Sequence, residues 1–237
     1  MRTLAIIPAR YASTRFPGKP LVDIMGKSMV QRVYEQAQLA GIFDAVLVAT
    51  DAQQIFDHVV QFGGKVMMTA AEHNSGTDRC GEVVNTLAGH FDVVFNIQGD
   101  EPFIQPEQLR ALHVAFQDPD TGIATLAKKI QHQEDLQNPN IVKVVFNKHH
   151  RAMYFSRSPI PYPRNAGATY FKHIGLYAFR TEVLKAIVQL PASEKEYAES
   201  LEQLRWLDNG YAITIVETEL ETIGIDTPED LKKISEK

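Results

Sequence analysis

Short apolar runs alternate with amphipathic stretches through the first half of the chain. The runs at 3–8, 45–50, 65–69 and 92–97 have the length and character of strands. Between the first two, Met29, Val33, Ala37 and Ala40 recur at helical spacing while Gln31, Arg32, Glu35 and Gln38 face away. This predicts an amphipathic helix over 28–40. The same logic places helices near 52–62 and 77–88, and Pro106 suits the start of another over 106–117. Such alternation is the sign of βαβ units around a parallel sheet.

The pattern changes after about residue 120. "GIATLAKKI", "IVKVVFN" and "AMYFS" read as strands with few helices between them, which predicts a sheet extension or smaller lobe within 120–180 of one 237-residue domain. "SPIPYPR" carries Pro159, Pro161 and Pro163 and cannot be a central strand, because each proline lacks an N–H. It is expected as an edge or an extended arm. The α/β character then returns, with a strand at 170–179, helices at 181–189 and 194–208, a strand at 212–216 and a last helix from 228.

Composition narrows the class. Hydrophobic residues make up 44% and charged residues 22%, the balance of an ordered globular protein. The net charge of −5 and the lack of a Lys/Arg-rich block argue against nucleic-acid binding. The single cysteine, Cys80, rules out an internal disulfide and reads as core. No apolar stretch nears the ~20 residues that span a bilayer, and the N-terminal apolar run is too short for a secretory signal. A cytoplasmic protein without membrane contact is expected.

Against this acidic background one stretch is cationic. "LAIIPARYASTRFPGKPL" places Arg10, Arg15 and Lys19 after the first strand, with no acid before Asp23. Ligands of parallel α/β sheets sit outside the carboxyl ends of the strands, where this loop lies. Backbone N–H groups with Arg and Lys suit a triphosphate. The loop matches neither G-x-x-x-x-G-K-[ST] nor G-x-G-x-x-G, which disfavours P-loop and dinucleotide folds. Lacking an acid partner, its cations are expected to take their counter-charge from substrate.

"IIPARYASTRFPGKPL" resembles the signature of the sugar-activating nucleotidyltransferases, and within them the cytidylyltransferases of 3-deoxy-manno-octulosonate (Kdo). "NSGTDR" (74–79), "NIQGDEP" (96–102), "YFSRSPIPYPR" (154–164), "HIGLYAF" (173–179), "LEQLRWLDNG" (201–210) and "IDTPEDL" (225–231) resemble the same family in the same order. The resemblance implies an α/β, Rossmann-like, predominantly parallel sheet with helices on both faces, and a smaller sheet extension used for homodimer formation. It implies CTP and Kdo as substrates and a role in lipopolysaccharide synthesis.

Asp100 follows the strand at 92–97, on the sheet edge that carries the basic loop, so it could hold Mg²⁺ against a triphosphate. Gly99 is expected to keep a side chain clear of the ligand. Asp226 resembles the second metal ligand, while Thr227, Pro228 and Asp230 read equally as the cap of the last helix. By the same resemblance Ala9, Arg10, Ser13, Arg15, Lys19, Ser75 and Thr77 hold the nucleotide, with Thr77 a candidate helix cap. Arg79, Gln98, Arg157, His173, Tyr177, Glu202 and Gln203 are implied to hold the sugar. His173, Gly175 and Tyr177 share one strand face, where the glycine is expected to leave a gap between two polar rings. The implied reaction is attack of the Kdo 2-hydroxyl on the α-phosphate of CTP, catalysed through Lys19, Arg10, Asp100 and Asp226. Activation of 8-amino-Kdo or another acidic keto sugar, and a non-catalytic sensor on the same scaffold, are the alternatives.

Overall fold

The computed structural model describes residues 1–12, 16–165, 167–222, 224–225, 227 and 230–231. The chain divides into two compact units, residues 1–110 with 222 onward, and residues 111–221.

In the first unit, β1 (Thr3–Ala9) pairs in parallel with β4 (Ala45–Thr50) on one side and with β6 (Val93–Asn96) on the other, and β4 pairs in parallel with β5 (Val66–Met68). Leu4 to Ile7 are wholly buried, as are Val93 to Phe95. This is why the strands read as continuous apolar runs without alternation. Helices α1 (Met29–Leu39), α2 (Gln53–Gln61) and α3 (Gly76–Thr86) connect them, and Cys80 is buried in α3 as expected. The short hairpin of β2 (Asp23–Ile24) and β3 (Lys27–Ser28) was not foreseen. It leads into Ser28, whose hydroxyl caps α1 by accepting from the Gln31 N–H at 3.2 Å. Helix α4 (Pro106–Val114) begins at its proline and tightens into a 3-10 turn at Ala115–Gln117, so the stretch expected as one helix ends differently.

The second unit is mixed. β7 (Ile123–Lys129) pairs antiparallel with β10 (Phe171–Arg180) and parallel with β11 (Ile213–Glu217). β10 also pairs antiparallel with β8 (Lys143–Phe146), which pairs antiparallel with β9 (Ala152–Ser156). Phe155, Phe179 and Trp206 anchor its core. The proline-rich segment after β9 forms no strand, and Tyr162 within it is 84% exposed. A short helix not expected from the pattern, α5 (Gln133–Gln137), follows β7, and α6 (Thr181–Ile187) follows β10.

One helix expected in this unit is divided. The helix drawn over 194–208 is two helices, α7 (Glu194–Glu199) and α8 (Gln203–Asp208), separated at Ser200, whose φ of 51° is left-handed. Together the units make a mixed α/β protein in which the expected strands of the first half are all present. The helix expected from 228 begins with the Thr227–Asp230 pairing of a cap, the Asp230 carboxylate accepting from the Thr227 N–H at 3.1 Å; most of its residues lie outside the described ones.

Candidate functional site

The first cluster of site residues forms where β1 and β6 end. Their parallel register carries Ile6 opposite Asn96, so Pro8, Ala9 and Arg10 emerge beside Gln98, Gly99 and Asp100. A Cβ on Gly99 would stand 2.8 Å from the Pro8 carbonyl oxygen, and one on Gly76 would stand 3.0 Å from the Pro8 ring. Gly99 is therefore required by the approach of two backbone segments, and it also lines the cavity. Ala9, Arg10, Lys19, Ser75, Arg79, Gln98 and Asp100 all line one cavity of about 320 Å³. Ser13, Arg15 and Asp226 lie outside the described residues.

Lys19 Nζ donates to Asp100 Oδ2 at 2.8 Å, with the lysine side chain mostly buried. This corrects, for Lys19, the expectation that the loop's cations lack an acid partner. The acid comes from 81 residues away in sequence, beyond the reach of any local charge count. Gly18, at φ 71°, turns the loop by donating its N–H to the Tyr11 carbonyl at 3.0 Å, which sets the start of the 3-10 turn Lys19–Leu21.

Helix α3 starts at the cavity. Ser75, and not Thr77, is its cap: the Asp78 N–H donates to Ser75 Oγ at 3.0 Å, and the Ser75 N–H donates to Asp78 Oδ2 at 3.2 Å. This reciprocal box satisfies donors at the helix start, and the helix dipole adds a partial positive charge there. Thr77 is buried in the first turn, accepting from Asn96 Nδ2 at 3.4 Å.

Arg79 lines the cavity, yet both terminal nitrogens of its guanidinium donate to protein. Nη2 donates to Asp51 Oδ2 at 3.0 Å, and Nη1 donates to the Ala70 carbonyl at 3.2 Å and to the Thr69 hydroxyl. The residue is 1% exposed. Asp51, which sequence reading missed, thus neutralises a buried cation from just past the end of β4. The segment before Asp226 is also tied to this region: the Ile225 N–H donates to the Asp100 carbonyl at 3.0 Å. Ile225 is buried with Ile24 and Met29, with Phe16 and Phe103 packed against them.

The second cluster belongs to the other unit. His173 and Tyr177 lie on β10, where the register against β7 shifts between Ile174 and Tyr177. Thr125 fills that irregularity, its hydroxyl lying 2.8 Å from the Leu176 carbonyl and 3.0 Å from His173 Nε2. The hydroxyl's one hydrogen goes to a carbonyl, so it accepts from the imidazole: Nε2 carries the ring hydrogen and Nδ1 the lone pair. Burial pushes the imidazole pKa down to about 3, so the ring is neutral at physiological pH.

The His173 and Tyr177 ring centroids are 5.2 Å apart, so the bulge at Gly175 lets the two rings meet where a gap was expected. The Tyr177 phenol is pushed well up, first by burial and then by the negative charge of Glu202. Among the described residues its hydroxyl oxygen has no hydrogen-bond partner. Tyr177 packs edge-on against Trp206 of α8 at 5.1 Å, and Gln203 on the same helix is buried. Arg157 differs: its guanidinium donates to the carbonyls of Glu199 at 2.7 Å, Pro139 at 3.0 Å and Ser200 at 3.4 Å.

Comparison with known proteins agrees with this layout. Residues 4–223 match the cytidylyltransferase family. A 3-deoxy-manno-octulosonate cytidylyltransferase of Bacteroides thetaiotaomicron is 59% identical over 246 residues, covering 100% of this chain and 98% of the relative. One of the same name from Parabacteroides distasonis is 56% identical over 244 residues, covering 98% and 96%. A solved structure of CMP:2-keto-3-deoxy-manno-octonic acid synthetase complexed with CTP superposes with a TM-score of 0.94 at 47% identity, over 99% of this chain and 97% of that one. The cation-lined cavity past β1 and β6 is thus set in a chain that belongs to the cytidylyltransferase family, among the 3-deoxy-manno-octulosonate cytidylyltransferases.

Proposed function

We propose that this protein transfers CMP from CTP to the anomeric 2-hydroxyl of Kdo. The hydroxyl oxygen bonds to the α-phosphorus and gives up its proton to water, the bond from that phosphorus to the bridging oxygen breaks, and pyrophosphate leaves. The observation that carries the reading is the Lys19–Asp100 pair in a cavity at the ends of parallel strands. It sets a cation and a carboxylate together where a triphosphate arrives with its metal.

In this reading Lys19 and Arg10, with Arg15 from the same loop, hold the β- and γ-phosphates and offset charge on the leaving pyrophosphate. Ser75 and the start of α3 face the nucleotide, Ala9 lines the pocket around it, and buried Thr77 supports that first helical turn. Asp100 fits a divalent cation, because its carboxylate reaches the cavity and Mg²⁺ needs only one or two carboxylates beside phosphate oxygens and water. Asp226, next after the segment that bonds Asp100, would be the second. Bound there, Mg²⁺ supplies charge neutralisation at the α-phosphate and a lowered pKa for the attacking hydroxyl.

Gln98, His173, Tyr177, Glu202 and Gln203 are assigned to the sugar. The Tyr177 hydroxyl, buried without a partner among the described residues, gains one from a sugar oxygen. Neutral His173 offers Nδ1 as an acceptor. Among the described residues no helix is long and apolar enough to cross a membrane. A cytoplasmic homodimer serving lipopolysaccharide synthesis is the setting we assign to it.

The test is pyrophosphate release by the purified protein with Mg²⁺ and Kdo and each of CTP, UTP, ATP and GTP, with and without EDTA. Release confined to CTP with Kdo and abolished by EDTA is the expected result. Folded protein that binds CTP but releases no pyrophosphate with Kdo would move the assignment to 8-amino-Kdo.

A further inference from the structure

Arg157 sits in a motif that resembles the family's sugar site, but its contacts point elsewhere. All three guanidinium nitrogens donate to backbone carbonyls: Nε to Glu199, Nη1 to Pro139 and Nη2 to Ser200. Its own N–H donates to Glu199 Oε2 at 2.9 Å, and the Ser156 hydroxyl donates to Glu199 Oε1 at 2.6 Å. The Glu199 carboxylate is thus held by backbone and hydroxyl, and the guanidinium fork is spent on three carbonyls, those of Pro139, the last residue of α7 and the one that follows.

That following residue is Ser200, at φ 51° and ψ 50°. A side chain in this left-handed region is strained, and it persists where surrounding contacts hold it. Here the contacts are the Arg157 fork above the turn and the return of the Leu201 N–H to the Glu196 carbonyl at 3.2 Å. The turn matters because it splits what the apolar pattern draws as one helix. A continuous helix from 194 would carry Glu202 and Gln203 to another azimuth, since each residue adds about 100°. With the break, Gln203 and Trp206 are buried, and the Glu202 charge acts on the Tyr177 phenol.

We infer that Arg157 is a positioning residue: its guanidinium clamps the Ser200 turn between α7 and α8, and so presents Glu202 and Gln203 beside Tyr177, without itself contacting the sugar. Lys143 completes the clamp from below. Wholly buried, it donates from Nζ to the carbonyls of Asn138 at 3.0 Å and Ile141 at 2.7 Å, on either side of the Pro139 carbonyl that Arg157 holds. Burial, then the neighbouring Arg157 charge, lowers its pKa, while the Glu199 charge opposes this. The inference rests on the sugar assignment made above.

The geometry separates a clamp from a charge contact, because a lysine keeps the charge and loses the fork. The variants are Arg157→Lys, Arg157→Gln and each combined with Ser200→Gly, since glycine takes the left-handed turn without support. The first readout is fluorescence of Trp206, which is the chain's one tryptophan and sits in α8. The second is KM for Kdo against KM for CTP.

Arg157→Lys and Arg157→Gln are expected to raise KM for Kdo by about tenfold or more, the scale of one or two lost hydrogen bonds, with KM for CTP within about twofold of the parent. Trp206 emission shifts in both, and Ser200→Gly restores both readouts. A wild-type KM for Kdo in Arg157→Lys beside a loss in Arg157→Gln would overturn the clamp in favour of direct charge recognition. Failure of Ser200→Gly to restore either parent would overturn it too. Should Arg157→Gln not fold, the lysine pair decides alone. Should the unmodified protein not use Kdo, the functional reading fails, and the Trp206 shift with its reversal still judges the clamp.

Discussion

The two clusters handle polarity in opposite ways. In the first unit the site is charged and cavity-lining: Lys19 is balanced by Asp100, Arg79 by Asp51, and Arg10 stands exposed at the same wall. In the second unit the two rings of the cluster are neutral and packed among aromatic side chains, with the Glu202 charge beside them. His173 is held uncharged against Thr125, Tyr177 is kept protonated, and the aromatic faces of Phe155, Phe179 and Trp206 surround them. On the function proposed above, a triphosphate that brings its own charge would suit the first arrangement, and sugar hydroxyls, read by fixed neutral donors and acceptors, the second. The difference shows in the backbone. Loop ends of parallel strands furnish the first cluster, while a bulged antiparallel strand and a broken helix furnish the second.

The sharpest way to break the contrast is to strip the charge balance of the first unit. Asp51→Ala leaves the buried Arg79 cation uncompensated, and we predict a loss of about 3–5 kcal/mol in stability, seen in urea unfolding. A loss under about 1 kcal/mol would mean that Arg79 is not held by Asp51 in solution. Next in size is Lys19→Ala. It should lower kcat/KM for CTP by about 100- to 1000-fold, the scale of removing one charged donor at a developing anion. Its melting temperature should barely move, because Asp100 is left with access to water.

The second unit is tested through pH. The folded pKa of His173 lies near 3, below the ~6.5 of an unfolded histidine, so the unfolded chain binds the proton first as acid is added. Its contribution is complete above pH ~6.5 and is lost as pH falls from there toward 3. We expect a few kcal/mol across that window. His173→Gln, which cannot take up this proton, should lose less stability than the parent between pH 7 and 4. Parallel melting curves for the two would remove the claim that the imidazole is enclosed.

The smallest effects compare two serine caps of the same form. Ser193 caps α7 by accepting from the Glu196 N–H at 3.2 Å, just as Ser75 caps α3. Each Ser→Ala change should cost about 1 kcal/mol. Only Ser75→Ala should also raise KM for CTP, since only that helix start lines the cavity. Equal effects on KM would place both caps in purely structural roles.

What the sequence made readable follows the range of the forces involved. Strand β4 was placed to the residue, because an apolar run buried on both sides has no competing periodicity. The Ser75 box was present in the letters as Ser75-Gly-Thr-Asp78, and Thr77 drew attention only because it is another hydroxyl nearby. The break at Ser200 could not be read locally, since it is held by an arginine 43 residues away and serine gives no sign of a left-handed turn. The partners of Lys19 and Arg79 were hidden for the same reason, lying 81 and 28 residues away. Motif resemblance brought these residues to notice, and only the fold showed which of their charges were already spent.

The Lys19–Asp100 pair has a consequence for selectivity among anions. At Lys19 a free phosphate or sulfate is disfavoured, because it must displace Asp100 and leave that carboxylate facing it. On the function proposed above, a polyphosphate that arrives with a divalent cation would meet no such conflict, since its oxygens would suit the lysine and its cation the aspartate. On that same function, the ion pair would then act as a latch that favours the metal–nucleotide complex over a bare anion.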